Sequence, residues 1–247
     1  MSIARFVDVK ESRPKSLVVG LPDTGLVGVI SASHMIRELS MEEVAYLDSD
    51  LLPPLVVIHD GKPKYPVRIF YKDEIAVVVS EIALPPNMVH PISNALFEWS
   101  RAHRVRTIYS ITGLAVPNRL DIEKPKVYGV TVPSNLMESL REVGVEHLKE
   151  GMLVGVHALL LRDSDKQGVD NIVLLAESHY AYPDPGAAAS VLECLGKHLG
   201  FKVDLKPLLE QAEEIRVKAR DLMRRTTQMM QMMEKMKERE VPLLYYR

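Results

Sequence analysis

The sequence predicts an α/β protein, a three-layer sandwich with a mixed central sheet and one long helix added at its C-terminal end. Two observations support this prediction. Between residues 17 and 199, short runs rich in β-branched residues alternate with stretches of helical periodicity. Such alternation is typical of a sheet that is covered by helices on both faces. A separate helical pattern then continues from residue 204 to residue 240.

The predicted strands are short, and several lead directly into a helical pattern. The strands cover residues 17–20, 44–47, 55–59, 67–71, 75–80, 107–112, 126–132 and 171–176. The helices cover residues 25–39, 91–103, 135–143, 153–161 and 187–199. The segment between the third and fourth strands contains a glycine and two prolines, so we expect those two strands to form a hairpin. A hairpin beside parallel strands makes the sheet mixed.

The C-terminal helix carries a heptad pattern. Apolar or small residues recur at alternating intervals of three and four, which defines a seam that packs against another helix. These seam residues are Leu208, Ala212, Ile215, Ala219, Leu222, Thr226, Met229, Met233 and Met236. Asp204 can cap the first turn, Pro207 fits inside that turn, and Pro242 prevents continuation. The helix should therefore span roughly 35 residues, or about 50 Å.

Two arrangements of this helix are open. It could fold back along its own domain, or it could associate with copies of itself. Helices longer than roughly 25 residues favour coiled coils, and further apolar residues widen the stripe beyond what one partner helix requires. These flanking residues are Leu209, Met223, Met230 and Met232. We therefore predict a homo-oligomer that is held or strengthened by the seam.

The last five residues form a short apolar and aromatic tail rather than the polar end that a frayed terminus normally has. The predicted partner-binding residues are Leu244, Tyr245, Tyr246 and Arg247. Tyrosine rings are good anchors in a pocket, and a terminal carboxylate can meet a cation. A tail packed on its own helix is the alternative. The predicted organisation is a core domain over residues 1–203, a coiled-coil-like helix over 204–240 and a docking tail over 241–247.

Composition narrows the classes of function. With 247 residues of which 47% are hydrophobic, the chain can bury a full core. A net charge of −2 argues against a nucleic-acid partner. No run approaches the roughly 18 to 20 apolar residues of a membrane span, and no signal-peptide core is present, so we expect a cytoplasmic protein without membrane contact. The single cysteine, Cys194, is expected in a helix core and excludes an internal disulfide.

Three loops are candidates for chemistry. Residues 20–28 are rich in glycine but match neither the P-loop nor the dinucleotide-binding spacing, so we expect a tight strand-to-helix turn, capped by Asp23 or Thr24, and no nucleotide cofactor. Residues 176–186 and 111–119 follow strands, where open α/β sheets place active sites. A hydrolase or phosphorylase-like site around Glu177, His179 and Arg119 is therefore the alternative function. No metal-binding spacing of histidines is present, and we expect no catalytic residue.

Eight short segments together resemble the archaeal branch of the proteasome assembly chaperone 2 family. They are residues 20–28, 53–54, 61–63, 66–68, 80–81, 111–114, 128–130 and 177–186. The similarity extends from about residue 16 to residue 203. The tail that follows, with a hydrophobic residue, then Tyr246 and any last residue, is similar to the tails by which proteasome activators dock between α-subunits.

The resemblance implies a fold similar to that of nucleoside phosphorylases and a homo-oligomer, for example a tetramer or pentamer. It also implies a non-enzymatic role with the α-subunits of the 20S proteasome, as an assembly chaperone or as an ATP-independent activator. No cofactor is implied.

Overall fold

The computed structural model describes residues 3–180 and 182–239. The predicted tail, residues 241–247, lies outside the described residues. The strands are β1 (Arg5–Asp8), β2 (Ser16–Gly20), β3 (Glu42–Asp48), β4 (Val57–His59), β5 (Lys62–Lys64), β6 (Val67–Lys72), β7 (Ile75–Ser80), β8 (Thr107–Ala115), β9 (Val127–Val132), β10 (Glu146–His147) and β11 (Asp170–Ser178). The helices are α1 (Val27–Glu38), α2 (Val89–Ala102), α3 (Met137–Glu142), α4 (Gly155–Gln167), α5 (Pro185–Leu199), α6 (Lys206–Glu210) and α7 (Ala212–Arg239).

Nine strands form one mixed sheet in the order β1-β3-β6-β7-β2-β8-β11-β9-β10. The central strands β7, β2, β8 and β11 are parallel, whereas β6 pairs antiparallel with β7, and β9 pairs antiparallel with β11. The central strands are apolar along nearly their whole length because helices cover both of their faces. The predicted α/β class and mixed sheet are confirmed.

The two faces of the sheet carry separate hydrophobic cores. Side chains alternate between the faces of a strand, so Val18 of β2 belongs to one core while Leu17 and Val19 belong to the other. Helices α1, α3 and α5 cover the first face, and α2 and α4 cover the second. The chain therefore has the three layers that the sequence predicts.

The predicted hairpin between residues 55–59 and 67–71 is wrong. Strand β4 pairs instead with β5, outside the main sheet, and β6 pairs with β7 and β3. The reason is the turn at Asp60 and Gly61, whose φ angles of 48° and 72° are both left-handed. Two such residues form the tight two-residue turn that suits a hairpin, so β4 meets the residues that immediately follow the turn.

The C-terminal helical segment begins as predicted but is interrupted once. Asp204 Oδ1 accepts a hydrogen bond of 3.0 Å from the backbone N–H of Lys206, and Pro207 lies in the first turn of α6. Gln211 then leaves helical geometry, with φ −101° and ψ 20°, before α7 begins. The predicted unbroken helix is therefore a one-turn helix, α6, followed by α7, whose 28 residues span about 42 Å.

Candidate functional site

The three loops that the sequence identifies meet at the carboxyl ends of the central strands. Strands β2, β8 and β11 are neighbours and parallel, so their carboxyl ends lie side by side. The loop of residues 20–28 leaves β2, the loop of residues 116–119 leaves β8, and the loop of residues 179–184 leaves β11. Ligands bind at this position in open α/β sheets, so the contacts between the loops decide whether a site exists.

Glycines at this edge let protein atoms approach one another closely. A Cβ atom added to Gly28 would lie 2.6 Å from the carbonyl oxygen of Ile111. A Cβ atom added to Gly113 would lie 2.3 Å from Ser178 Oγ and 2.4 Å from the carbonyl oxygen of Thr24. These glycines therefore serve close packing of helix against strand and of loop against loop, as expected for residues 20–28.

Arg119 and Asp184 form a buried ion pair that joins two of the loops. Arg119 Nε and Nη2 donate hydrogen bonds of 2.7 Å and 2.9 Å to the two carboxylate oxygens of Asp184, which is fully buried. Arg119 Nη1 also donates to the carbonyl oxygen of Ile122 at 2.6 Å. Asp184 accepts from the backbone N–H groups of Ala187 and His179 and thereby caps α5. Both side chains are thus committed to holding the loops together.

Glu177 and His179 have different partners. Glu177 accepts hydrogen bonds from the backbone N–H of Lys126 at 2.9 Å and from the hydroxyl of Tyr128 at 3.4 Å. The ring of His179 lies edge to face with that of Tyr182, with 6.3 Å between the ring centroids. Within the described residues, the side chains of Glu177, His179 and Arg119 make no hydrogen bond to one another.

A buried pair that the sequence does not indicate lies next to these loops. Asp23 Oδ2 is 3.2 Å from Nε2 of His157, and His157 is only 5% exposed. Burial raises the pKa of Asp23 above its ordinary value, against the opposing effects of His157 and Thr112. Asp23 stands before the short 3-10 turn of residues 24–26, but its side chain makes no capping hydrogen bond there, and the residue before α1 is Leu26, which makes none either. The pair is largely enclosed by the protein.

A second ionic cluster anchors the β4–β5 hairpin to the sheet. Arg68 is almost fully buried and donates to both Glu43 and Glu81. Lys64 of the hairpin donates to Glu43 at 2.6 Å, and His59 Nε2 lies 2.7 Å from Glu81 Oε2. Burial alone would raise the pKa of Glu43, but the hydrogen bond from Lys64 and the nearby Arg68 lower that pKa below its ordinary value.

The first seam residues differ in exposure. Leu208 is only 1% exposed and belongs to the core of its own domain. Ala212, Ile215 and Ala219 are half-buried, and Ile215 packs against the same core. The backbone of the remaining seam residues lies in α7, and their side chains fall outside what the structure describes; these residues are Leu222, Thr226, Met229, Met233 and Met236. The tail residues Leu244, Tyr245, Tyr246 and Arg247 lie outside the described residues altogether.

Membrane spans and metal sites are two further classes of feature to consider. Across the described ranges, no helix is both long enough and apolar enough to span a bilayer. In the same part of the chain, no group of three or more His, Cys, Asp or Glu side chains could hold a metal ion. Cys194 is half-buried in α5, and burial raises the pKa of its thiol.

Comparison with known proteins gives consistent matches. The profile of the PAC2 family matches residues 17–223. The crystal structure of Pyrococcus furiosus PbaA, an archaeal homolog of proteasome-assembly chaperone, is 31% identical with a TM-score of 0.82 and covers 92% of this chain and 98% of its own. Pyrococcus furiosus PbaB, an archaeal proteasome activator, is 26% identical with a TM-score of 0.74 and covers 90% and 99%. An uncharacterized protein of Methanocaldococcus jannaschii is 28% identical over 87% of each chain.

Proposed function

Because this chain belongs to the PAC2 family, we propose that it is a non-enzymatic, homo-oligomeric partner of the 20S proteasome in the cytoplasm. It acts as an assembly chaperone or as an ATP-independent activator. The similar structures support this role, since PbaA is an archaeal homolog of proteasome-assembly chaperone and PbaB is an archaeal proteasome activator.

The proposed oligomer rests on how little of α7 is buried in the single chain. No α7 side chain that the structure describes is fully buried, although Ala212, Ile215 and Ala219 form an apolar stripe along it. A stripe that one chain covers only in part is stabilised when a second copy covers the rest. We therefore propose that copies associate through α7, beyond the turn in which Leu208 serves its own core.

The tail is the proposed contact with the α-ring. In this proposal, the ring of Tyr246 fills a pocket between α-subunits, Tyr245 and Leu244 pack beside it, and the carboxylate of Arg247 meets a cation. A single tail of this length would bind weakly. Several tails on one oligomer act at a high effective concentration and can strengthen binding by roughly 10² to 10⁴, so oligomerisation and docking support each other.

The edge of the sheet supports a role without catalysis. The glycines of residues 20–28 and 111–114 are packed against protein atoms, and Arg119 is held by Asp184. These residues position the loops rather than a substrate or a phosphate group. We propose that binding to the proteasome requires neither a nucleotide nor a reaction.

Surface plasmon resonance on immobilised 20S particles tests the tail. We expect Tyr246→Ala to weaken binding at least about 30-fold per tail, as hot-spot truncations of about 2 kcal/mol do. Leu243→Ala is the matched control, because it shortens a neighbouring tail side chain outside the hydrophobic-Tyr-X motif. One residue added after Arg247 should be as harmful as Tyr246→Ala, because it displaces the carboxylate.

Light scattering and peptide hydrolysis complete the test. The mass of the oligomer should be the same for all tail variants. Faster peptide cleavage by mature 20S particles indicates an activator, whereas capture of free α-subunits without faster cleavage indicates an assembly chaperone. If Tyr246→Ala and Leu243→Ala bind the particle equally well, the proposed docking is wrong.

A further inference from the structure

A cleft lies at the amino ends of the central strands, opposite the loops described above. It is formed by residues 8–15, which lead into β2, and by residues 102–106, which lead from α2 into β8. Its volume is about 950 Å³. Since a water molecule occupies about 30 Å³ in the liquid, the cleft has room for an extended ligand rather than for a single small ion.

The lining of the cleft contains more basic than acidic residues. Its cationic residues are Lys10, Arg13, Lys15, Arg104 and Arg106, and its anionic residues are Asp8 and Glu11. The formal balance of these seven side chains is +3, and it is +1 once Glu42 and Glu74, the ion-pair partners of Lys10 and Lys15, are counted. The cleft therefore carries a small excess of positive charge, which attracts anionic ligands.

The two lysines of the lining are neutralised by their neighbours. Lys10 Nζ lies 2.7 Å from Glu42, and Lys15 Nζ lies 2.7 Å from Glu74. Asp8 also has partners, because it accepts a hydrogen bond of 2.9 Å from the indole N–H of Trp99 and its Oδ2 lies 3.5 Å from Nε2 of His103. These pairs leave the three guanidinium groups of Arg13, Arg104 and Arg106 against the carboxylates of Asp8 and Glu11, a balance of +1.

The three arginines of the cleft have no partner among the described residues. Within those residues, the guanidinium groups of Arg13, Arg104 and Arg106 form neither a hydrogen bond nor an ion pair. A fourth polar group, the hydroxyl of Ser12, is buried and makes no hydrogen bond in the described part of the chain. The cleft thus offers several donors at once.

The backbone fixes the two walls of the cleft relative to each other. The N–H of Arg106 donates a hydrogen bond of 2.9 Å to the carbonyl oxygen of Lys15 and so ties one wall to the other. Arg104 has a left-handed φ of 57°, and its N–H donates to the carbonyl oxygen of Arg101 in the turn that ends α2. The arginines therefore project from a frame that exists before any ligand arrives, which lowers the entropic cost of binding.

We propose that this cleft binds an acidic peptide segment of a partner protein in an extended conformation. A planar guanidinium donates two parallel hydrogen bonds to a carboxylate, and arginines on two walls match carboxylates spaced along a peptide. Single-stranded nucleic acid is a poorer match, because it requires aromatic rings for base stacking and the lining contains no Phe, Tyr or Trp.

The cleft lies near the start of the C-terminal helical segment, so one partner protein can contact both. Helix α1 follows β2 and returns to the edge where β2 begins, and His34 near its end lies 2.6 Å from the carbonyl oxygen of Asp204, just before α6. The cleft and the start of α6 are therefore both near the amino ends of the central strands. The partner bound through the C-terminal segment could supply the acidic peptide, and this last step alone rests on the proposed function.

Fluorescence anisotropy with a fluorescein-labelled octaglutamate peptide tests the cleft in the full-length protein. Wild-type protein should bind this peptide more weakly as salt increases and should not bind the matching octaglutamine peptide. The double substitution Arg104→Glu and Arg106→Glu should weaken binding about tenfold or more. The control, Arg141→Glu with Lys149→Glu, makes the same charge change at exposed residues outside the cleft lining and should leave the affinity unchanged.

Other outcomes would overturn the proposal. Equal affinity for octaglutamate and octaglutamine would do so, as would equal losses in the cleft variant and the control. Tighter binding of pyrophosphate or of an oligothymidylate of eight nucleotides would assign the cleft to a different ligand. Arg13→Glu on the opposite wall is a second variant in case the double substitution impairs folding. Tyr246→Ala should retain peptide binding, so the tail and the cleft can fail separately.

Discussion

Replacing Asp184 with alanine is expected to be among the most destabilising single changes at the loop edge. The carboxylate is fully buried, accepts two hydrogen bonds from Arg119 and caps α5 through the N–H of Ala187. Its removal leaves a guanidinium in a site with little water, which typically costs about 3–5 kcal/mol. That range already includes the loss of the helix cap, which contributes about 1 kcal/mol. The free energy of unfolding should therefore drop by about 3–5 kcal/mol.

Urea-induced unfolding followed by circular dichroism measures this loss. The control is Asp163→Ala, because Asp163 pairs with Arg162, whose side chain is 61% exposed, and exposed pairs contribute little. Asp184→Asn should lose less than Asp184→Ala, since asparagine also caps helices well. If Asp184→Ala unfolds at the same urea concentration as Asp163→Ala, the ion pair does not hold the loops and the reasoning is wrong.

Three further changes test other parts of the structure. The lowered pKa of Glu43 means that its charge stabilises the fold above the ordinary pKa of 4.5 and that this contribution is lost as the pH falls through the lowered value. Glu43→Gln should therefore destabilise at pH 7, and its difference from wild type should shrink in acid unfolding experiments. Gly113→Ala would place Cβ 2.3 Å from a hydroxyl and 2.4 Å from a carbonyl oxygen and should cost about 1–3 kcal/mol, whereas Gly151→Ala, with a nearest contact of 3.4 Å, should be neutral by the same assay. Leu222→Asp combined with Met229→Asp should reduce the oligomer's mass in light scattering, and an unchanged mass would place the seam elsewhere.

The elements that the sequence predicts well are those whose own residues determine them. The apolar runs at 75–80 and 171–176 are short and rich in β-branched or aliphatic residues, which predicts buried strands, and the structure contains both as β7 and β11. Strand β1 is not predicted, because Arg5–Asp8 is four residues long and half polar and is a strand only through its pairing with β3. The β4–β5 hairpin fails for a similar reason, since a turn of two residues decides its pairing.

At the candidate site, the sequence predicts the positions of the loops but not the contacts between them. The sequence indicates loops at 20–28, 111–119 and 176–186, because glycines and polar residues follow strands there, although residues 111–115 still belong to β8 and residues 176–178 to β11. It cannot indicate that Arg119 forms an ion pair with Asp184, because that contact joins residues far apart in the chain. Nor does it indicate the basic cleft, whose two walls come from segments far apart in the chain.

The glycines of residues 20–28 explain why a sequence with the appearance of a phosphate-binding loop need not have that function. A missing Cβ permits any close approach, whether by a phosphate or by the protein itself. Here a Cβ at Gly20 would lie 2.3 Å from Cβ of Ala32, and one at Gly28 would lie 2.6 Å from the carbonyl of Ile111. The space that a nucleotide would require is therefore occupied by the helix and the strand that these glycines bring together. The residues of this loop therefore hold α1 against the sheet, and the binding surfaces that we propose lie at the amino ends of the central strands and along the C-terminal helix.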